Sequence, residues 1–195
     1  MIATSDFAQR LASQMAIMIP AWVDGELVPV EKLEAHRKGI PHKAVSVFLL
    51  NKDRMLIQRR ALGKYHTPGL WANTCCTHPE WDESALDCAI RRLDEELGIR
   101  GVDVEHRQNL EYRADVGGGL TEHEIVDVFV GHVTDDIPVR SNPDEVMDTR
   151  WVTFTDLARE VAKTPEIFTP WLRIYLESHA VDIFGEDMPQ PVVDH

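Results

Sequence analysis

The stretch at residues 44–50, AVSVFLL, constrains the fold more than any other segment. It carries no charge and is rich in β-branched and aromatic side chains, so it reads as a buried strand. Asn51-Lys52-Asp53 follows as a turn, and residues 55–60 read as the hairpin partner. Further on, Asp82 or Glu83 opens a helix that runs to Leu97. Leu86, Ile90, Leu93 and Leu97 fall at i, i+4, i+7 and i+11, which is one apolar stripe. Gly98 stands where a helix C-cap is expected.

The remaining segments alternate in the same way. Residues 69–76 look extended. Strands are predicted near 102–114 and 122–133, joined by Gly117-Gly118-Gly119, with a short one near 149–152. Thr155 is expected to cap a helix to about residue 162, and Thr169 a last one to about 178, with Pro170 at its first position. Near the start, Ser5 or Asp6 would cap a short helix with Phe7, Leu11, Met15 and Met18 on one face. Asp24-Gly25 reads as a hairpin turn. From Gly185 to 195 the tail has prolines and no periodicity, so it is expected to be loose. There is no internal repeat. This order of elements predicts an α/β or α+β sandwich with a mixed sheet. A length of 195 residues fits one domain, with its core at about 32–171 and an extension at 1–30.

Charge narrows the partners. Thirty-three acidic against 20 basic residues leave −13, a poor basis for binding nucleic acid or anionic lipid. No apolar run reaches membrane-spanning length. The cysteines, Cys75, Cys76 and Cys88, are odd in number and two are adjacent, which makes no disulfide framework; with no signal peptide visible, a cytoplasmic protein is expected. The charge is uneven, however. Nine Lys/Arg lie between Lys32 and Lys64, opposed only by Glu34 and Asp53. Such a stretch could serve a small anion such as a phosphate, or be a solvated surface.

Four groups could carry chemistry. Cys76-Thr77-His78 places a thiol and an imidazole two positions apart at a strand end, as a proton-transfer pair or as a structural thiol beside an ordinary histidine. Glu122 and Glu124 share one face of a strand. Two carboxylates held together repel unless a cation or a proton lies between them, and the alternative is a solvated face. His36 and His42 bracket a Gly-Pro loop; with His78, Glu122 and Glu124 they would form a three-His, two-carboxylate set suited to Zn, Mn or Fe. Finally, Glu83 and RRLDEELGI (residues 91–99) match much of the Nudix box, in which a helix presents carboxylates to a metal-bound diphosphate. The plain alternative is a solvated helix face with Arg–Glu pairs.

Taken in order, HRKGIPHKAVSVFLL, QRRALGK, PGLWANTCCTHP, RRLDEELGI, YRAD…TEHE, NPDEVMDTRW and FTPW resemble the type I isopentenyl diphosphate isomerases. The resemblance implies a Nudix-like α/β/α fold acting on a small allylic or homoallylic diphosphate. It implies that His36, His42, His78, Glu122 and Glu124 bind Mn or Zn. Glu96 and the Cys76 carbonyl would hold a Mg ion that meets the substrate diphosphate, which Lys32, Arg60, Lys64 and Arg92 would neutralise. Cys76 and Glu124, the latter assisted by Tyr112, would move the protons beside Trp171. Two positions depart from the Nudix box: Thr77 replaces its opening glycine, and Arg92 stands where a hydrolase keeps a carboxylate. The competing readings are a Nudix pyrophosphohydrolase and a non-catalytic, metal-stabilised binding domain.

Overall fold

Along β3 (His42–Asn51) every residue but Lys43 is buried. Ala44, Phe48 and Leu50 enter one apolar cluster, whereas Val45, Val47 and Leu49 enter another. Strand side chains alternate with period two, so this one strand feeds two cores. The structure, a computed structural model, describes residues 17–134 and 136–185.

β3 is the hub of a nine-stranded mixed sheet. It lies parallel to β8 (Leu120–His132), with His42 opposite Glu124 and Leu50 opposite His132. On its other edge it is antiparallel to the short β6 (Cys75–Thr77). β7 (Val104–Gly117) forms a long hairpin with β8. β4 (Arg54–Arg60) meets β3 at only two residue pairs next to the turn, then leaves to pair with β5 (Trp71–Ala72) and β9 (Val146–Thr153). The expected hairpin is therefore present only at its turn, because β8 and β6 occupy the edges of β3. β1 (Met18–Val23) and β2 (Glu26–Glu31) form the hairpin expected at Asp24-Gly25, both of which have positive φ as a tight two-residue turn requires.

Helices cover both faces, which makes the α/β/α sandwich. The helix α1 (Lys32–Lys38) is capped by the Glu31 carboxylate, which accepts from the Leu33 and Glu34 N–H groups. On one face α2 (Ala85–Leu97) packs on Val45, Val47, Leu56 and Cys75. On the other, α3 (Phe154–Lys163), α4 (Pro170–Ser178) and α5 (Ala180–Phe184) gather around Phe48, Trp171 and Tyr175. Among the described residues no helix is long and apolar enough to cross a membrane.

Several details differ from expectation. α2 begins at Ala85, with Ser84 as its cap. Its buried face is Cys88, Ala89, Leu93, Glu96 and Leu97, while Leu86 and Ile90 are 44% and 46% exposed. The helix is thus rotated relative to the expected stripe: small Cys88 and Ala89 allow close approach to the sheet, and Glu96 turns inward to polar partners. α3 is capped by Thr153, whose Oγ1 accepts from the Asp156 N–H, not by Thr155. Thr169 precedes Pro170 as expected, but its side chain makes no cap hydrogen bond. Met18 belongs to β1; the rest of the helix expected near residue 5, and the tail after 185, lie outside the described residues.

Gly98 has φ of 63°, and a Cβ there would lie 2.9 Å from Arg140 Cβ and 3.1 Å from its carbonyl oxygen. Gly98→Ala is expected to lower unfolding free energy by about 1–3 kcal/mol in urea titrations, the cost of a left-handed non-glycine residue plus this crowding.

Candidate active site

Strand register assembles the site. Tyr112 on β7, Glu124 on β8 and His42 on β3 are successive partners across three strands, so their side chains form one row on one face. Glu122 lies two residues before Glu124, on the same face, and both are buried. One strand over, Cys76 pairs with Ser46 of β3, and His78 follows just after β6. α1 adds His36, whose ring centroid lies 4.7 Å from that of His42 and 5.1 Å from that of His78.

The histidines are held as ligands are held. His36 Nδ1 donates to the Lys32 carbonyl and His42 Nδ1 to the Ile40 carbonyl, each at 2.7 Å. A carbonyl only accepts, so each Nδ1 carries the proton and each Nε2 is left with a lone pair. Ligand atoms of His36, His42, His78 and Glu124 all lie within 4.8 Å of one another. His42 Nε2, both His78 ring nitrogens and Glu124 Oε1 are buried without a hydrogen-bond partner. Burial lowers the His36 pKa to about 3 and His42 to about 4, and takes His78 and His66 well below the usual range; Lys32 adds to the effect at each. Three neutral imidazoles converging with the Glu124 carboxylate, several of their atoms without a hydrogen-bond partner, are a donor set that fits a divalent transition metal or zinc. His66 was not foreseen. Its Nε2 lies 3.6 Å from Glu122 Oε1, and it forms a second group with His36 and Glu122. A lone histidine in KYHTPG carries no spacing signal.

The carboxylates share a phenol. The Tyr112 hydroxyl lies 2.9 Å from Glu122 Oε2 and 2.6 Å from Glu124 Oε2. It has one proton to give, so it donates to one carboxylate and can accept from the other only when that one is protonated. Burial raises Glu122 to about 7, and burial together with the Glu122 charge takes Glu124 well above the carboxylate range.

Period two selects between the adjacent cysteines. Cys75 faces the α2 cluster, whereas Cys76 lines a cavity with Glu122, Glu124, His78 and Trp171. Ser46 Oγ donates to Cys76 Sγ at 3.4 Å and lies 2.8 Å from the Tyr175 hydroxyl. Burial and then Glu124 and Glu122 push the Cys76 thiol up, while Ser46 opposes them. Neither Ser46 nor Tyr175 belongs to a recognisable sequence pattern.

The cavity also gathers Lys32, Arg60, Lys64 and Arg92. Three of the nine basic residues of the 32–64 stretch therefore converge here, joined by Arg92 from α2. Burial and the charges of Lys64 and Arg92 bring Lys32 down to about 8. Arg60 lies over the Trp171 ring, 5.2 Å from its centroid. Glu96 is buried beside this rim rather than in the His/Glu cluster; its Oε1 accepts from Arg92 Nη2 at 2.6 Å and its Oε2 from Gln58 at 2.9 Å.

A NUDIX domain matches residues 40–172, so the chain belongs to the Nudix class of α/β/α proteins. Isopentenyl-diphosphate Delta-isomerases of Roseobacter denitrificans and Ruegeria pomeroyi are 66% and 65% identical to it, over 88% and 89% of this chain and 98% and 97% of theirs. Within the class, the chain is a member of the isopentenyl-diphosphate Delta-isomerase family. Among solved structures, a Deinococcus radiodurans protein aligns with a TM-score of 0.65 at 15% identity, covering 82% of this chain and 97% of that one. A MutT Nudix hydrolase from Burkholderia pseudomallei aligns at 0.56 and 23% identity, covering 71% and 98%. At these identities they share the fold alone.

Asn73 ties the site together from beneath. It is fully buried, its Nδ2 donates to the Val47 and Cys75 carbonyls, and its Oδ1 accepts from Trp171 Nε1 at 3.1 Å. Asn73→Ala removes three hydrogen bonds and leaves their partners buried, so a loss of about 2–5 kcal/mol is expected by denaturant unfolding.

Proposed function

We propose that this chain interconverts isopentenyl diphosphate and dimethylallyl diphosphate in the cavity between β3, β6, β8 and α1. The observation that carries the reading is that one cavity is lined by a thiol, by four cations and by two carboxylates that share the Tyr112 hydroxyl. Three free thiols among the described residues support a reducing, cytoplasmic setting.

The reaction adds a proton to the terminal alkene carbon, which leaves positive charge on the neighbouring branched carbon, and removes a proton from C2. One proton enters and one leaves, so the site needs both a donor and an acceptor. Glu124, through Tyr112 at 2.6 Å, is the proton source in this reading. Cys76 takes the C2 proton as the thiolate and becomes the thiol, and the hydrogen bond that Ser46 Oγ donates to the sulfur favours that anion against the burial that opposes it. The Trp171 ring, pinned by Asn73, offers a π face that stabilises the developing cation by about 0.5–2 kcal/mol without reacting with it. Lys32, Lys64 and Arg92 hold the diphosphate together with Arg60, which reaches it from over the Trp171 ring.

His36, His42, His78, Glu122 and Glu124 would hold Mn or Zn; a dication there would supply positive charge that offsets the two carboxylates. Glu96, with the Cys76 carbonyl, would meet the Mg that travels with the diphosphate. Both Glu96 oxygens are engaged by Arg92 and Gln58, so an ion at that place must share or displace those contacts. Arg92 occupies the position where hydrolysis needs a carboxylate, so the diphosphate is gripped without being cleaved.

With isopentenyl diphosphate and Mg in D2O, proton NMR should show dimethylallyl diphosphate with deuterium entering carbon, and phosphorus NMR an intact diphosphate. Cys76→Ala and Glu124→Gln should each reduce the rate by about 10²–10⁴-fold, the usual worth of a placed acid or base. Release of phosphate would overturn the isomerase reading, and near-normal turnover in either variant would remove that residue from the mechanism.

Apoprotein titrated with Co²⁺ should develop visible absorption bands and melt at a higher temperature. His42→Ala should weaken that binding by at least about the tenfold that loss of an outer-shell partner costs. Equal affinity in the variant would exclude His42 as a ligand.

A further inference from the structure

Glu145 lies just before β9, and neither the proton-transfer chemistry nor the His/Glu cluster uses it. Its Oε2 lies 2.5 Å from Lys64 Nζ and 3.5 Å from Arg92 Nη2. These cations come from different elements: Lys64 from the turn after β4, Arg92 from α2. All three side chains are less than 20% exposed. The main chain of Glu145 grips the same turn, since its carbonyl accepts the Ala61 N–H at 2.9 Å while the Ala61 carbonyl accepts from Lys64 N at 3.2 Å. The segment before it is tied to the end of α2, with Asn142 N donating to the Glu96 carbonyl and Arg140 N to the Leu97 carbonyl.

Placement decides what this carboxylate does. Lys32, Lys64 and Arg92 line the inner cavity with Cys76 and Glu124, and they also line an adjoining outer groove. Glu145 borders only the outer groove. It contacts Lys64 and Arg92 from the groove and stands away from Cys76 and Glu124. Gathered cations repel one another, and an anion behind them offsets that repulsion at the moment the cavity is empty.

We propose that Glu145 is a positioning residue for diphosphate recognition, a clamp that fixes Lys64 and Arg92 at the spacing a diphosphate bridges. The proposal rests on the assignment of these cations to the diphosphate. The opposite role, a carboxylate that competes with the diphosphate for Lys64, predicts tighter binding when it is removed.

The test is calorimetric binding of Mg-diphosphate to wild type, Glu145→Ala, Lys64→Ala and the double variant, with isomerase kinetics alongside. Glu145→Ala should weaken diphosphate binding by about tenfold and raise KM for isopentenyl diphosphate by a similar factor, with a much smaller fall in kcat. Because Glu145 acts through Lys64, its removal should cost markedly less in the Lys64→Ala background. If the alanine variant does not fold, Glu145→Gln keeps the size and removes the charge, and the same pattern is expected. Unchanged or tighter diphosphate binding, or effects that simply add in the double variant, would overturn the clamp. A wild type that fails to bind Mg-diphosphate would overturn the diphosphate assignment, and the clamp with it.

Discussion

The parallel pairing of β3 with β8 is the constraint on which the rest depends. It sets His42 against Glu124, and β7 then sets Tyr112 against Glu124. A strand has a side-chain period of two, so a one-residue slip would turn Glu122 and Glu124 to the outer face and bring His123 inward. Resistance to that slip comes from the far end of the same strands. Val126, Val128 and Val130 share the inward face with the two glutamates and are buried with Phe48 and Leu50. Apolar burial at one end of β8 thus holds the costly polar groups in place at the other.

Those polar groups are costly because they are buried together. Two carboxylates, four imidazoles and a thiol lie beneath four cations, with little water to screen them. The arrangement separates the signs by depth: Glu122 and Glu124 at the floor, Lys32, Lys64 and Arg92 towards the mouth. Burial keeps the histidines neutral, and neutral imidazole is the form that ligates metal. The same burial raises the carboxyls toward holding a proton, the form a proton donor needs. One cause, desolvation, therefore prepares both functions of the floor.

Much of this was legible because it repeats locally. The run AVSVFLL had to be a buried strand, and Glu122 and Glu124 had to share a face once residues 122–133 were read as a strand. The three histidines could be gathered by family resemblance, though spacing alone could not bring them together. What escaped reading depends on packing between distant segments. Leu86 and Ile90 fit an apolar stripe in sequence, yet the sheet beneath α2 demanded small residues, and the helix turned to present Cys88 and Ala89. His66, Ser46 and Tyr175 sit singly in their segments; only the closing of α1 and α4 over the sheet gives them partners. Thr153 rather than Thr155 caps α3 because the helix starts directly after β9, at Phe154, with no intervening loop.

On the reading proposed for Arg92, one fold is turned from cleaving a diphosphate to carrying it. On α2, Arg92 and Glu96 are one turn apart, on the side facing the cavity rim, and they pair at 2.6 Å. A carboxylate at residue 92 would place two negative charges there, which favours a bound cation and an attacking water at phosphorus. A guanidinium instead pairs with Glu96 and adds donors for phosphate oxygens. In the proposed reaction chemistry lies at the alkene rather than at phosphorus, with Cys76 supplied by β6 and Glu124 by β8.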